Sequence, residues 1–111
     1  MESEPRTETD IRLDAVSHAA RRRVLYTLLA ARWNGSSGVS IGSIYPERGE
    51  NQVVELYHLH LPKLESGGFV GVDREQDRVE VGPRFDEIVP LLDHLAEDAA
   101  TEYGTVGCRE R

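Results

Sequence analysis

The chain has 111 residues, 39% of them apolar, enough for one modest hydrophobic core and hardly a second. Its 20 acidic residues outnumber 13 basic ones, all Arg except Lys63, for a net charge of −7; such a surface stays hydrated in strong salt, where self-repulsion is screened, although an ordinary acidic cytosolic protein would share it. No run approaches the ~18 uninterrupted apolar residues of a membrane span, the polar start Met1-Glu2-Ser3-Glu4-Pro5 does not read as a secretory signal, and the lone Cys108 cannot staple a fold, so a soluble cytoplasmic domain is expected, with no membrane association.

In chain order, residues 1–9 lack apolar periodicity and are expected to be a disordered tail. From Ile11 the pattern turns helical, with Val16, Ala20, Val24 and Leu28 recurring every four residues and Leu13, Leu25 and Leu29 flanking them. Ser17 offers a side-chain oxygen to an exposed helix-start amide, which predicts a short helix over 10–16 and a longer one over 18–32. Residues 10–37, which include Arg21-Arg22-Arg23, form the one net-positive stretch. Without a broad basic face, tight non-specific binding of nucleic acid in dilute buffer is not expected. Trp33-Asn34-Gly35-Ser36-Ser37-Gly38 is loop chemistry. Val39 suits a short strand, and Ser40 a cap for a brief helix from Ile41 to Tyr45 that Pro46 ends. Glu47 to Glu50 reads as a polar turn.

Residues 51–66 carry Val53, Tyr57, Leu61 and Leu64 within about 80° of one another on a regular helix. Gly67-Gly68 ends that helix. Phe69-Val70-Gly71-Val72 and Arg78-Val79-Glu80-Val81 are β-rich runs joined by a charged tip, the signature of a hairpin. After Gly82-Pro83, Phe85, Ile88, Leu92, Leu95 and Ala99 repeat at helical spacing. Pro90 lies near that helix's start or marks a kink. Residues 103–111 read as a second disordered tail.

The order helix-helix-strand-helix-helix-β-hairpin-helix is an α+β pattern, that of a winged helix-turn-helix domain over 10–102: two helices brace a third that enters a major groove, and the hairpin touches the neighbouring backbone. The run Leu56-Tyr57-His58-Leu59-His60-Leu61-Pro62-Lys63-Leu64-Glu65-Ser66-Gly67-Gly68-Phe69-Val70 resembles the recognition helix and wing of ArsR-like winged-helix regulators. With Leu13-Asp14-Ala15-Val16-Ser17 and Arg21-Arg22-Arg23-Val24-Leu25, the chain is still more similar to small haloarchaeal winged-helix proteins. The resemblance covers about residues 10–100. It implies sequence-specific binding of double-stranded DNA by a homodimer, transcriptional control and a saline cytoplasm. Two departures stand beside it: the helix before residue 51 is short and meets Pro46, and the paired Cys ligands of metal-sensing members have no counterpart.

On the outward face of a regular helix over 51–66 fall Gln52, Glu55, Leu59, Pro62 and Ser66, with Asn51, His58 and Lys63 at its margins. Asn51, Gln52 and Lys63 can read bases or meet sugar-phosphate, and Glu55 can accept from a cytosine amino group although it repels phosphate. Arg74 and Arg78 beside the hairpin tip, and Arg21 and Arg22 at the start of the second helix, are candidate phosphate contacts; solvated or locally paired charges are the plain alternative. The seam Phe85, Ile88, Leu92 and Leu95 packs either on the chain's own first helices or on a second copy as a dimer interface.

Other chemistry finds little support. His58 and His60 point roughly 200° apart on a helix and cannot clamp one metal, so His60 reads as a core-edge, hydrogen-bonded imidazole. Gly35-Ser36-Ser37-Gly38 lacks the Lys and the strand of a phosphate loop. Asp86-Glu87 suits the first turn of a helix. No metal, cofactor or enzymatic activity is expected. A DNA-binding regulator is therefore the leading expectation; its rival is a protein-interaction adaptor that meets a partner through Leu59 and Pro62.

Overall fold

Thr7 and Asp10 start the first helix, α1 (Glu8–Ala15), by exchanging bonds: the Thr7 hydroxyl accepts from the Asp10 amide at 3.1 Å, and the Asp10 carboxylate from the Thr7 amide at 3.3 Å. This reciprocal cap begins the helix earlier than apolar periodicity does, inside the stretch expected to be a tail. The structure, a computed structural model, describes residues 7–44 and 50–95. The expectations for residues 1–6, for Tyr45, Pro46 and the turn that follows, and for the chain from 96 onward lie outside the described residues.

α2 (Ala19–Trp33) is capped by His18, whose Nδ1 accepts from the Ala20 amide at 3.1 Å. Ser17, the expected cap, instead donates its hydroxyl to the Asp14 carbonyl at 2.9 Å, closing the end of α1. A Ser in the turn between two helices can serve either end, and here the orphan carbonyl takes it. α2 buries Val24, Leu25 and Leu28 completely; Val24 and Leu28 belong to the four-residue stripe and Leu25 flanks it. Leu13, which flanks that stripe in sequence, is 51% exposed on α1.

β1 (Gly38–Ser40) leads directly into the short helix α3 (Ile41–Ile44). The next helical stretch spans residues 50–66 without a break and is called the central helix below: α4 (Glu50–Glu55), a π-turn over Leu56–His60, and α5 (Leu61–Ser66). β2 (Val70–Asp73) and β3 (Arg78–Val81) form the hairpin, and β1 adds to β3, giving a three-stranded antiparallel sheet in the order β1-β3-β2. Val79 pairs with Val39 on one side and Val72 on the other. The Asp73 carboxylate accepts from the Glu75 and Gln76 amides at 3.1 and 3.2 Å, an Asx-type turn that shapes the tip. The described residues thus form an α+β domain.

α6 (Phe85–His94) follows, with Pro90 inside it rather than near its start. Phe85, Ile88 and Leu92 are wholly buried in the core shared with Val24, Leu25, Leu28, Leu61 and Leu64, and the Tyr26 hydroxyl donates to the Leu92 carbonyl at 3.1 Å. The chain's own core therefore takes the seam, and these three residues have no apolar surface left for a second copy. Leu95, the fourth residue of the expected dimer interface, is half-buried against the same core. At roughly 1.5–3 kcal/mol for each large apolar side chain removed from water, the intramolecular packing dominates. Arg84 joins the ends of the domain, donating to Glu87 at 2.8 Å, to the Gly67 carbonyl at 3.3 Å and to Glu8 of α1.

Candidate functional site

The central helix rests on the core by one flank and leaves the other open. Leu56, Leu61 and Leu64 have no exposed surface and His60 has 1%. Asn51, Gln52, Glu55, His58 and Lys63 all lie at the surface. With them stand two large apolar side chains, Val54 (53% exposed) and Leu59 (45%). Pro62, expected on the outer face, is half-buried.

Leu56 departs most from the regular wheel, which sets it about 90° away from the centre of the core face. The π-turn accounts for this: Leu61 donates its amide to the Leu56 carbonyl, five residues back. The extra residue in that turn brings Leu56 inward beside His60, while Val53 and Tyr57 become half-buried. The five-residue separation of Leu56 and Leu61, a poor fit to one face of a regular helix, is the sequence signal that betrays the bulge.

The hairpin tip is tied to this helix. The Tyr57 hydroxyl donates to the Asp77 carboxylate across the gap, and Asp77 has a positive φ of 54°, which a short polar side chain tolerates. Burial, the bond to Asp77 and that carboxylate's charge together push the Tyr57 phenol up to about 12, against a smaller opposing effect of Arg74. Between helix and tip lies a groove of about 520 Å³ whose walls include Val54, Tyr57, His58, Pro62, Arg74 and Asp77.

The candidate cations are engaged by carboxylates or by the backbone. Lys63 Nζ stands 3.8 Å from Asp14, Arg74 3.4 Å from Glu65, and Arg78 3.7 Å from Glu80. Arg22 is half-buried and donates to the Val16 carbonyl at 2.7 Å. Arg21 does not belong to this surface. It is 5% exposed and donates to the Asp14 carbonyl at 3.1 Å and to the Ser17 hydroxyl at 3.0 Å. A third bond joins its Nη1 to His60 Nδ1 at 3.1 Å. The expectation that Arg21 meets phosphate is overturned, because a buried guanidinium so bonded has no face to offer. His60 is the hydrogen-bonded, core-edge imidazole the helix spacing suggests. The His18 ring, 4.3 Å away and tilted by 46°, is a neighbour that sequence spacing does not show.

In comparison with known proteins, the chain matches no family model, no curated protein and no solved structure.

Proposed function

We propose that the chain is a winged-helix protein that binds double-stranded DNA in strong salt and acts in transcriptional control. The central helix enters the major groove, and the β2–β3 hairpin, as the wing, lies along the neighbouring backbone. The observation that carries this reading is the open flank of the central helix with the hairpin tip bonded beside it through Tyr57 and Asp77. On that flank Asn51 and Gln52 offer amide pairs suited to adenine, Glu55 an acceptor for the cytosine amino group, and Val54 and Leu59 apolar contact for thymine methyls. Arg74 and Arg78 exchange Glu65 and Glu80 for phosphate. Exposed ion pairs of this kind contribute little, about 0–1 kcal/mol, so the exchange is inexpensive. With few cations at the surface, counterion release supplies little affinity and base contacts must supply more. A two-fold pair on DNA, with its helices about one turn apart, draws on surface other than Phe85, Ile88 and Leu92.

The test is a titration of the purified chain against a randomised duplex pool in molar KCl, with sequencing of the retained fraction. Enrichment of a short motif, lost in Gln52→Ala, is the expected result. Retention no greater than that of an acidic control protein at tens of micromolar would overturn the reading.

A second reading is favoured by Val54 and Leu59, two large apolar side chains exposed on the outer face. In it the same face meets a partner protein instead. Arg74→Ala with Arg78→Ala then leaves partner capture unchanged, whereas it weakens DNA binding several-fold across all sequences if they hold phosphate.

A further inference from the structure

The turn between α1 and α2 meets the central helix through two imidazoles and one guanidinium. His18 caps α2, its Nδ1 accepting from the Ala20 amide at 3.1 Å. Buried Arg21 is anchored to that turn by the Asp14 carbonyl and the Ser17 hydroxyl. Across the junction its Nη1 stands 3.1 Å from Nδ1 of His60, a residue 1% exposed. The His18 and His60 rings lie 4.3 Å apart.

Donor and acceptor chemistry places the protons. A backbone amide and a guanidinium only donate, so Nδ1 of each ring is the acceptor and each neutral imidazole carries its proton on Nε2. Both rings thus use at the junction the one nitrogen that a further proton would occupy. On His60 that proton would set one N–H against another and a second positive charge beside a buried guanidinium. The His60 Nε2 is buried and has no hydrogen-bond partner among the described residues, so no other bond of the ring compensates. On His18 the same proton would uncap α2 and put a charge at the positive end of its dipole. We propose that His18 and His60 form a proton-sensitive latch, which holds the α1–α2 turn against the central helix while both rings are neutral and loosens on acidification. The latch does not rest on the DNA-binding reading, because it concerns how the central helix is seated, whatever its open flank meets.

The charges around His60 act in the same direction. Burial opposes the charged ring most, followed by His18 at the start of α2 and Arg21 within it. On the central helix Glu55 favours the charged ring and Lys63 opposes it, and the sum holds His60 below the ordinary imidazole value of 6.5. Asp14 of α1 faces the junction but is shared by Arg21 at 3.7 Å and Lys63 at 3.8 Å. The unfolded chain therefore binds this proton before the folded chain does. Stability is whole above 6.5 and is lost as pH falls from there towards the folded ring's own lower value.

The experiment follows urea unfolding of the full chain between about pH 7.5 and about pH 5.5 for the parent, His60→Asn, His18→Asn and His94→Asn. An Asn oxygen caps a helix and accepts from a guanidinium, but it does not titrate. In the parent the unfolding constant should rise about three- to tenfold over this range; tenfold is roughly the most that one histidine kept neutral a full pH unit below 6.5 allows. His60→Asn should remove most of that rise. His18→Asn, which takes away a charge opposing that of His60, should lessen it, and His94→Asn, exposed on α6, should leave it in place. A rise in His60→Asn equal to the parent's would overturn the latch, and one in His18→Asn would overturn the pairing of the two rings. Should His60→Asn not fold, the imidazole nitrogen spectrum of the parent decides. A His60 ring protonated on Nε2 alone at pH 7, and charging only below 6.5, supports the proposal; an Nδ1–H ring, or one that charges at 6.5 or above, overturns it.

Discussion

Arg21 makes three hydrogen bonds from one buried side chain, to Asp14, Ser17 and His60. Truncation removes all three and leaves the His60 acceptor without its donor. Arg21→Met should therefore lower unfolding free energy by about 3 kcal/mol in urea titrations, the scale set by breaking a buried charged network. A change no larger than that of Arg22→Met would contradict the buried role. Tyr57 supplies a second measurement at this scale. Its phenol ionises at about 12 in the folded chain against 10.0 for an unperturbed tyrosine, so the unfolded chain ionises first. The stabilisation is whole below pH 10.0 and declines as pH rises towards about 12. Tyrosinate absorbance should show a late-titrating component near that pH, and Tyr57→Phe should remove it.

Among the elements, the hairpin depends on backbone close to backbone at its base. A Cβ on Gly82 would sit 2.7 Å from the Gly68 carbonyl oxygen and equally near the backbone of Phe69 and Val70, whereas one on Gly71 would meet nothing within 4 Å. Gly82→Ala should then cost at least ~2 kcal/mol, because backbone must move to admit the methyl. Gly71→Ala should lie within about 0.5 kcal/mol of the parent or above it, the unfolded chain having lost freedom. Thermal midpoints of the pair check both; equal effects would show that the base is not tight. In α6, Leu92 belongs to the chain's own core. Leu92→Ala should cost about 2–5 kcal/mol, and its unfolding midpoint should not move with protein concentration. A midpoint that rises with concentration would return Leu92 to an interface between copies.

At the scale of the whole molecule the net charge of −7 sets the response to salt. Raising KCl from about 0.1 to about 1 M shortens the screening length from roughly 10 to roughly 3 Å. Mutual repulsion among the carboxylates fades over that range, and the thermal midpoint should rise. A falling midpoint would show that ion pairs such as Arg74–Glu65 and Lys63–Asp14 outweigh the repulsion. Duplex binding, if the proposed reading holds, should weaken only shallowly over the same range, because few phosphate contacts release few counterions.

Periodicity, turn residues and breakers determine by themselves the order of the elements, the hairpin, and much of the core face, including Val24, Leu28, Leu61 and Leu64. These are properties of neighbours a few residues apart, where spacing translates directly into direction. The destination of the Phe85, Ile88 and Leu92 seam was legible only as a choice between self and partner, because an apolar stripe records that it is buried but not against what. Only the tertiary structure decided that choice, together with the engagement of Lys63, Arg74 and Arg78 by carboxylates and the bond from Tyr57 to the hairpin tip. It also placed Arg21, in a run of three arginines that reads as surface charge, against a histidine 39 residues away. The π-turn that turns Leu56 inward belongs to the same class: a helix gives up its regular period when packing outweighs one turn's geometry, and that packing reaches the helix from elsewhere in the chain.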